Sequence, residues 1–275
     1  MEALVEPLQQ SYVQRAVVAG VLVGLICPAI GVFLVLRRLS LLGDGLGHVS
    51  LAGVTAGWLA GVPPLVSAAC FAAAGALGIE RLRGARREYG DLALAIVFYG
   101  GIALGVVLAG LGRRMNVNFF AYLFGSILTV TEQDLLVIAI AGALVLAILA
   151  LLSKELMAIT FDEELARVSG LPVKLLNYLV VILAAITVVA ALPVVGALLV
   201  AGLLVIPVAA SLQIARSFRA TVFWAVVFGV GSVLLGLIAA YAFDLAPGGS
   251  IVLTAIGLFL LASLGRRLRS LVPHT

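Results

Sequence analysis

The sequence predicts an all-α polytopic membrane protein, and three observations support that fold class. Hydrophobic residues make up 64% of the 275 residues, and charged residues make up only 11%. A soluble domain of this size cannot bury so much apolar surface, because much of any soluble fold stays in contact with water. The apolar residues also lie in continuous runs of about 20, which is the length that a helix needs to cross a bilayer. Strands of an outer-membrane barrel would instead alternate over about 10 residues.

Nine apolar runs are candidate spans. They are residues 15–36, 43–61, 65–78, 91–111, 135–152, 175–192, 196–212, 221–241 and 250–264. The apolar segment 118–128 is too short to cross and predicts a re-entrant or interfacial helix. The first run is too long for a cleavable signal peptide, so none is expected. We therefore predict one transmembrane domain over residues 1–275, with nine spans, and eight as the alternative count.

The lysine and arginine residues predict the orientation. With nine spans and the N-terminus outside, only Arg15, Arg113 and Arg114 fall on the outer side. The inner connections hold Arg37, Arg38, Arg81, Arg83, Arg86, Arg87, Lys154, Arg167, Lys174, Arg216, Arg219, Arg266, Arg267 and Arg269. Because basic residues concentrate on the cytoplasmic side, we expect the N-terminus outside and the C-terminus in the cytoplasm. Topology also explains the net charge of +4 better than a nucleic-acid surface does.

The second run opens with Asp44 and His48, which are four residues apart and so share one face of a helix. Ionisable side chains inside a membrane segment are costly and indicate function. A carboxylate with an imidazole suits a divalent ion such as zinc, manganese or ferrous iron. Because zinc takes about four ligands, the pair is half a site, and two copies around a two-fold axis would supply two of each residue. In the alternative, Asp44 caps the helix and His48 bonds to a neighbouring helix.

Small residues surround this pair. Glycines occupy positions Gly43, Gly45, Gly47 and Gly53. Side chains of this size let another helix, or a second copy of the chain, approach closely. The segment is therefore predicted to be a site of tight helix packing.

A short helix is predicted between the fifth and sixth spans. The spacing of Thr160 and Glu163 predicts a capping box, and Gly170 closes a helix of about nine residues. Phe161, Leu165 and Val168 lie along one side of it. On the basic side of the membrane such a helix would dock a soluble partner; the alternative is an interfacial helix that lies on the lipid headgroups.

The segment 192–211, in which a sharp turn is predicted at Pro193–Val195, is rich in small residues and contains Pro193, Gly196 and Pro207. This pattern is typical of a broken helix that lines a cavity. It also fits close packing without any pore, and the residues alone leave both interpretations open.

Several short motifs occur in a fixed order. They are Tyr12–Ala16, Gly31–Arg38 followed by Gly43-Asp44-x-x-x-His48, Ala103–Val107, Leu123–Ile127, Phe161–Ala166 with Gly170, Val195–Leu199 with Ile206–Pro207, and Pro247–Leu253. In this order they resemble the integral membrane permeases of the zinc, manganese and iron uptake family of ABC transporters, the ABC-3 type, over nearly the whole chain. Gly47 and Gly248 depart from the serine and threonine that the family often has at these positions.

The resemblance implies a homodimeric permease of the type II ABC importer kind in the inner membrane of a bacterium, a cytoplasmic ATPase pair and an extracytoplasmic metal-binding protein. It implies that Asp44 and His48 coordinate the metal in the path. It also makes the helix at about 160–170 the ATPase-coupling helix, with the contact residues Phe161, Asp162, Glu163, Leu165, Ala166 and Gly170. No permanently bound cofactor is expected, since the metal is cargo. The sequence has no glycine-rich phosphate loop, so ATP hydrolysis is expected on another subunit and the chain is not itself an enzyme.

We therefore expect the permease of an importer for a divalent transition metal, with zinc favoured because imidazole is a better ligand for zinc than for manganese. A permease for a siderophore, haem or cobalamin would have no use for the Asp44 and His48 pair. A gradient-driven secondary transporter normally shows internal repeats and further buried acids. An intramembrane enzyme would need a catalytic pair that the apolar runs do not contain.

Overall fold

The computed structural model describes residues 11–85, 90–112, 117–126 and 130–271. Over these ranges the chain forms α-helices and no strand, which confirms the predicted fold class. The helices are α1 (Ser11–Leu36), α2 (Leu42–Ala60), α3 (Pro64–Ala85), α4 (Gly90–Leu111), α5 (Val117–Phe124), α6 (Glu132–Leu151), α7 (Ser153–Phe161), α8 (Glu163–Val168), α9 (Val173–Val195), α10 (Val200–Ile214), α11 (Phe218–Phe243) and α12 (Pro247–Leu271). The predicted positions Arg86, Arg87, Arg113, Arg114, Ile127 and Leu128 lie outside the described residues.

Each of the nine apolar runs of the sequence falls on one helix. In the described part of the chain, seven helices are long and apolar enough to cross a membrane: α1, α3, α4, α6, α9, α11 and α12. The other two runs correspond to α2, which carries Asp44 and His48, and to α10, which has only 15 residues. Helix α5 has eight residues, too few to span a bilayer. The count of nine spans and the orientation of the termini stay predictions.

Helices α1 and α9 form the centre of the bundle. Of their most apolar stretches, 72% and 78% of the residues are buried, against 22–33% in the other five long helices. Helix α1 packs against α6, α9, α10 and α11, and α9 packs in addition against α3. Helix α2 lies between α3 and α4, while α10, α11 and α12 pack together on another side. Helix α2 also contacts α9, so it lies beside this buried centre.

The bundle has two distinct ends. At one of them Arg37, at the end of α1, contacts Glu163 of α8 and Asn177 of α9; we call this the Arg37 end. At the other, the ring of Trp58 near the end of α2 lies 5.8 Å from that of Tyr122 on α5; we call this the Tyr122 end. The distribution of basic residues predicts that the Arg37 end is cytoplasmic.

The turn between α9 and α10 lies later than the sequence suggested. A sharp turn was expected at Pro193–Val195, but α9 continues through Pro193 and ends at Val195. The chain turns at Gly196, whose φ of +88° is in the region that glycine adopts without a steric penalty. Pro193 removes its own N–H from the helix but does not turn the chain, whereas the turn needs the positive φ that Gly196 supplies. Helix α10 likewise passes Pro207 without a break.

Candidate metal site

Asp44 and His48 lie one turn apart on α2. The residue that caps this helix is Leu41, which makes no side-chain capping bond. Asp44 is therefore not the cap but lies in the first turn, where the helix dipole favours a carboxylate. Both side chains are half-buried, and the carboxylate and the imidazole are close enough to interact electrostatically. The pair thus faces a region that is only partly closed by the rest of the chain.

The glycines of α2 allow close contact with the segment that leads into α10. A Cβ atom placed on Gly47 would lie 2.7 Å from the carbonyl oxygen of Ala197, and one on Gly43 would lie 2.7 Å from Cδ1 of Leu204. Real side chains do not reach such distances without displacing a neighbour. The turn of α2 that carries Asp44 and His48 is therefore seated directly against the start of α10.

Two other helices cover the remaining sides of α2. A Cβ atom on Gly53 would lie 2.7 Å from the Cα of Ala68 on α3, whereas one on Gly45 would have 4.0 Å of space toward α4. The ring of Phe98 on α4 meets the imidazole of His48 edge to face, with 4.9 Å between the ring centroids. Such a contact fixes the plane of the imidazole. The close approaches at these glycines are thus made by helices of the same chain.

Asp44 and His48 are two candidate metal ligands without a third beside them in the described part of the chain. In the ranges that the structure describes, no group of three or more His, Cys, Asp and Glu side chains is placed to hold a metal ion. Cys27 is fully buried and Cys70 is exposed, and neither belongs to such a group. Because a tightly bound transition metal takes about four to six ligands, a metal ion at Asp44 and His48 would need further donors from outside this chain or from water.

Non-helical backbone lies beside the site. Between α9 and α10 the amide of Ala197 donates to the carbonyl of Tyr122 at 2.8 Å, and that of Leu198 donates to the carbonyl of Leu123 at 3.2 Å. The end of α5 is thus paired with the break in the α9–α10 segment. Broken helices of this kind are tolerated at membrane depth only where protein or a water-filled space surrounds them.

Glycines make this junction possible. Gly125, after α5, and Gly196 both have positive φ values, of +76° and +88°. A Cβ atom on either of them, or on Gly248 at the start of α12, would lie within 2.4 Å of a backbone atom. Three chain segments therefore meet here at distances that only glycine allows.

A cavity of about 290 Å³ opens at the Tyr122 end. Its lining residues are Trp58, Pro64, Ala121, Tyr122, Thr131, Asp134 and Pro193. Burial, and to a lesser extent the charge of Asp134, raises the pKa of Tyr122 to about 12, so its hydroxyl is neutral. The cavity does not reach Asp44 or His48: Trp58 is ten residues beyond His48, about 15 Å along the helix axis.

The short helix α8 begins differently from the sequence prediction. Thr160 does not cap it, because Thr160 belongs to α7 and donates its hydroxyl to the carbonyl of Leu156 at 2.6 Å. The cap is Asp162, whose Oδ1 accepts the amides of Glu164 and Leu165 at 2.9 Å. The helix therefore spans residues 163–168 rather than about 160–170, and Phe161 belongs to the helix before it. Gly170, with φ +84°, ends the segment as expected.

Apolar side chains of this segment point away from the bundle. Leu165 is 64% exposed and Val168 is 87% exposed. Phe161 is 69% exposed, although its ring meets that of Phe218 at 6.1 Å. Ala166 is buried and faces the bundle. The outer face of α8 is thus an apolar surface at the end of the molecule that is predicted to be cytoplasmic.

A contact that the sequence did not reveal anchors α8. Nη2 of Arg37 lies 2.6 Å from Oε1 of Glu163 and 2.6 Å from Oδ1 of Asn177. Burial lowers the pKa of the Arg37 guanidinium, and the neighbouring Glu163 carboxylate opposes that shift. In the sequence, Arg37 was only one of the basic residues that set topology, and nothing in its local pattern indicates a partner 126 positions away.

Comparison with known proteins places the chain among metal transport proteins. A family model described as the ABC 3 transport family matches residues 9–266. The manganese transport system membrane protein MntC of Listeria monocytogenes is 34% identical over 94% of this chain and 91% of its own length. A probable iron transport system membrane protein of Haemophilus influenzae is 33% identical over 94% and 95%. Among solved structures, PsaBC from Streptococcus pneumoniae in complex with Fab has a TM-score of 0.87 and 31% identity, covering 98% of this chain and 100% of that chain.

Proposed function

From the premise that this chain belongs to the ABC 3 transport family, we propose that it is the permease subunit through which an ABC importer moves manganese into a bacterial cell. The family and the relatives make the chain a metal-transport permease of the ABC type, a multi-pass protein of the bacterial inner membrane and a transport subunit rather than an enzyme. The metal, the copy number and the partner proteins are the parts that we propose.

The pair of Asp44 and His48 is the observation that carries the proposal. These two residues are half-buried on one turn of α2, beside the backbone break that opens α10. An acid and an imidazole so placed suit a borderline or hard divalent ion and do not suit a bulky chelate. A transported ion must also leave, so the site must bind it without holding it permanently.

Manganese is proposed as the cargo because the Listeria relative is named for manganese transport. From the sequence alone, the imidazole of His48 favoured zinc. The Haemophilus relative is named for probable iron transport. A carboxylate with an imidazole accepts all three ions. Zinc and iron are therefore the competing ions in the test below.

We propose that a second copy of the chain supplies the remaining ligands. One chain offers a single carboxylate and a single imidazole here, and the described residues hold no larger group of metal ligands. Two copies related by a two-fold axis would bring two of each to one ion, which fits the coordination that transition metals need. In this assembly the site is incomplete in either copy alone.

Two partner proteins complete the proposed importer. An ATPase would dock on the exposed apolar face of α8, since Leu165 and Val168 form a surface that water does not favour. An extracytoplasmic metal-binding protein would deliver the ion at the Tyr122 end. The family provides the reason to expect both partners.

Uptake of manganese into proteoliposomes that contain the permease, ATPase and binding protein tests this function. Asp44→Ala and His48→Ala should each lower uptake by at least about tenfold, because each removes one ligand type from both copies. Complex assembly should be unchanged. Ser50→Ala, which removes a hydroxyl bonded only to the carbonyl of Leu46 on the same helix, is the matched control and should transport normally.

The same assay decides among the cargoes. Zinc and ferrous iron are added as competitors at equal free concentration, and stronger inhibition by zinc than by unlabelled manganese would restore the preference for zinc. Normal uptake of every ion by both Asp44→Ala and His48→Ala would contradict the proposed site.

A further inference from the structure

A buried ion pair joins the proposed ATPase-docking helix to the end of α1, five residues before the proposed metal helix begins. We propose that the pair of Arg37 and Glu163 transmits the movement of α8 to the turn of α2 that holds Asp44 and His48, and that Arg37 is a positioning residue of the transport cycle. The proposal rests on the proposed function, which gives α8 and α2 these tasks.

The geometry of the pair is closed and specific. A single nitrogen of Arg37 donates to both Glu163 and Asn177, each at 2.6 Å, and Nδ2 of Asn177 donates to the same Glu163 oxygen at 3.1 Å. The side chain of Arg37 is 5% exposed and that of Glu163 is 25% exposed. Hydrogen bonds between charged groups are short and strongly directional, and shielding from water preserves them.

Further charges hold this cluster in place. Glu80 of α3 is buried and pairs with Arg83 at 2.9 Å. Two arginines therefore balance two glutamates where the end of α1, the end of α3, the start of α8 and the second turn of α9 come together. A cluster with this balance moves as a unit more easily than it comes apart, because separation would leave buried charges unpaired.

Backbone hydrogen bonds and buried leucines constrain the chain between Arg37 and Asp44. The amide of Leu39 donates to the carbonyl of Leu34 at 2.8 Å and that of Arg38 donates to the carbonyl of Val35 at 3.0 Å, which is the Schellman pattern for ending a helix. Arg38 takes the left-handed position with φ 59°. Leu39 and Leu42 are buried, and the amide of Leu42 donates to the carbonyl of Leu39 at 3.0 Å. A displacement of Arg37 is thus carried into the first turn of α2.

Helix α8 is attached to the bundle through Ala166 and through the bonds of Glu163 to Arg37 and Asn177. Leu165 and Val168 are exposed, whereas Ala166 is buried and Glu163 makes the bonds to Arg37 and Asn177. A partner that moves the outer face of α8 therefore also displaces Glu163 and the groups bonded to it. Buried ion pairs are weak evidence for stability, and their best-attested role is to select one arrangement over another.

The first test measures coupling in the full complex of permease, ATPase and binding protein. Arg37→Gln and Glu163→Gln are made singly and together, and the double variant avoids leaving a buried charge unpaired. We expect the double variant to keep assembly and ATPase rate within about twofold, yet to transport about tenfold less manganese per ATP, in the usual range of coupling between sites. The exposed neighbours Arg38→Gln and Glu164→Gln are the matched controls and should keep the wild-type ratio.

Arg37→Lys separates positioning from packing. One nitrogen makes both contacts of Arg37, so a lysine ammonium can replace them in part, and the transport ratio should recover above that of Arg37→Gln. If the double variant keeps the wild-type ratio of manganese to ATP, or if transport and ATPase activity fall in the same proportion, the pair does not transmit movement and the proposal is overturned.

A second measurement does not depend on the cargo. Hydrogen–deuterium exchange is followed at residues 39–48 and at α8 in the complex with and without ATP and vanadate. In the wild type both segments should change their exchange rates, and in the double variant only α8 should. A wild type without change at 39–48, or a double variant that keeps it, refutes the connection. A wild-type complex that changes exchange but imports no manganese, zinc or iron would refute the proposed function alone.

Discussion

At the residue scale, the small residues around Asp44 and His48 determine how closely other helices pack beside the two side chains. Gly43 and Gly47 let α10 come close enough to bring the α9–α10 break beside the pair. On the other side the ring of Phe98 fixes the imidazole of His48. An isolated Asp and His at helical spacing would be free to rotate, so the geometry of these two candidate ligands is set by neighbours that come from other helices.

Two adjacent glycines on α4 provide a sharp test of this packing. A Cβ atom on Gly101 would lie 2.8 Å from Cγ2 of Val49 and 3.2 Å from the carbonyl carbon of His48, whereas one on Gly100 meets no atom within 4 Å. Gly101→Ala should therefore push α4 away from α2 and destabilise the protein by about 1–3 kcal/mol. Manganese uptake should fall with it.

Gly100→Ala is the control, because it makes the same chemical change one position earlier. It should stabilise α4 by about 0.5–1 kcal/mol, since glycine in a helix costs conformational entropy. Thermal unfolding of both variants in nanodiscs, with uptake assayed in parallel, checks the pair. Equal unfolding temperatures for the two variants would show that α4 does not pack on α2 as described.

At the scale of single elements, the backbone conformation of Asp162 determines where the short helix α8 begins. The hydroxyl of Thr160 is already used by the carbonyl of Leu156 inside α7, so it is not available as a cap. Asp162 breaks the helix in an extended conformation and accepts two amides of the next one. The result is a separate six-residue helix whose position is fixed by Glu163 and Ala166, with its apolar residues left outside.

This exposed face leads to a prediction about assembly. Leu165→Ser combined with Val168→Ser should lower co-purification of the ATPase with the permease at least about fivefold, because two apolar contacts at the centre of the proposed interface are lost. The capping residue Asp162 is unchanged, so α8 should still form.

Leu268→Ser is the matched control, since Leu268 on α12 is an exposed leucine, 57% accessible, that lies outside α8. Its recovery of ATPase should equal that of the wild type. If the double substitution on α8 also recovers the ATPase in full, the docking surface is elsewhere.

At the scale of the whole molecule, the two ends of the bundle differ both in their charged residues and in their packing. The Arg37 end holds the buried charge cluster and α8, and the Tyr122 end holds the cavity and the pair of Arg15 and Glu132 at 3.6 Å. The basic residues predict that the first of these is cytoplasmic. An importer needs this polarity, because its energy source and its cargo arrive from opposite sides.

Cysteine labelling tests the orientation. In a background with Cys27→Ala and Cys70→Ser, Arg81→Cys should react with a membrane-impermeant maleimide only after the cells are opened. Ala246→Cys, which lies between α11 and α12, should react in intact spheroplasts, because nine spans put residues 81 and 246 on opposite sides. Labelling of both positions from one side would contradict the nine-span topology.

Sequence alone determined the fold class, the positions of the main helices and the candidate ligands. Hydrophobic runs and basic clusters are local or compositional signals, and lipid imposes them on any chain that spans it. The pairing of Asp44 with His48 was visible for the same reason, since four residues is one helical turn. The family motifs were visible because they are short and occur in a fixed order.

Only the tertiary structure decided which surfaces meet. The ion pair of Arg37 with Glu163 joins positions 126 residues apart, and the contact of His48 with Phe98 depends on how α2 and α4 pack. The same is true of the break at Gly196, because a proline nearby gave the stronger local signal. Contacts of this kind arise from side-chain shape and burial across the bundle, which no periodicity along the chain records.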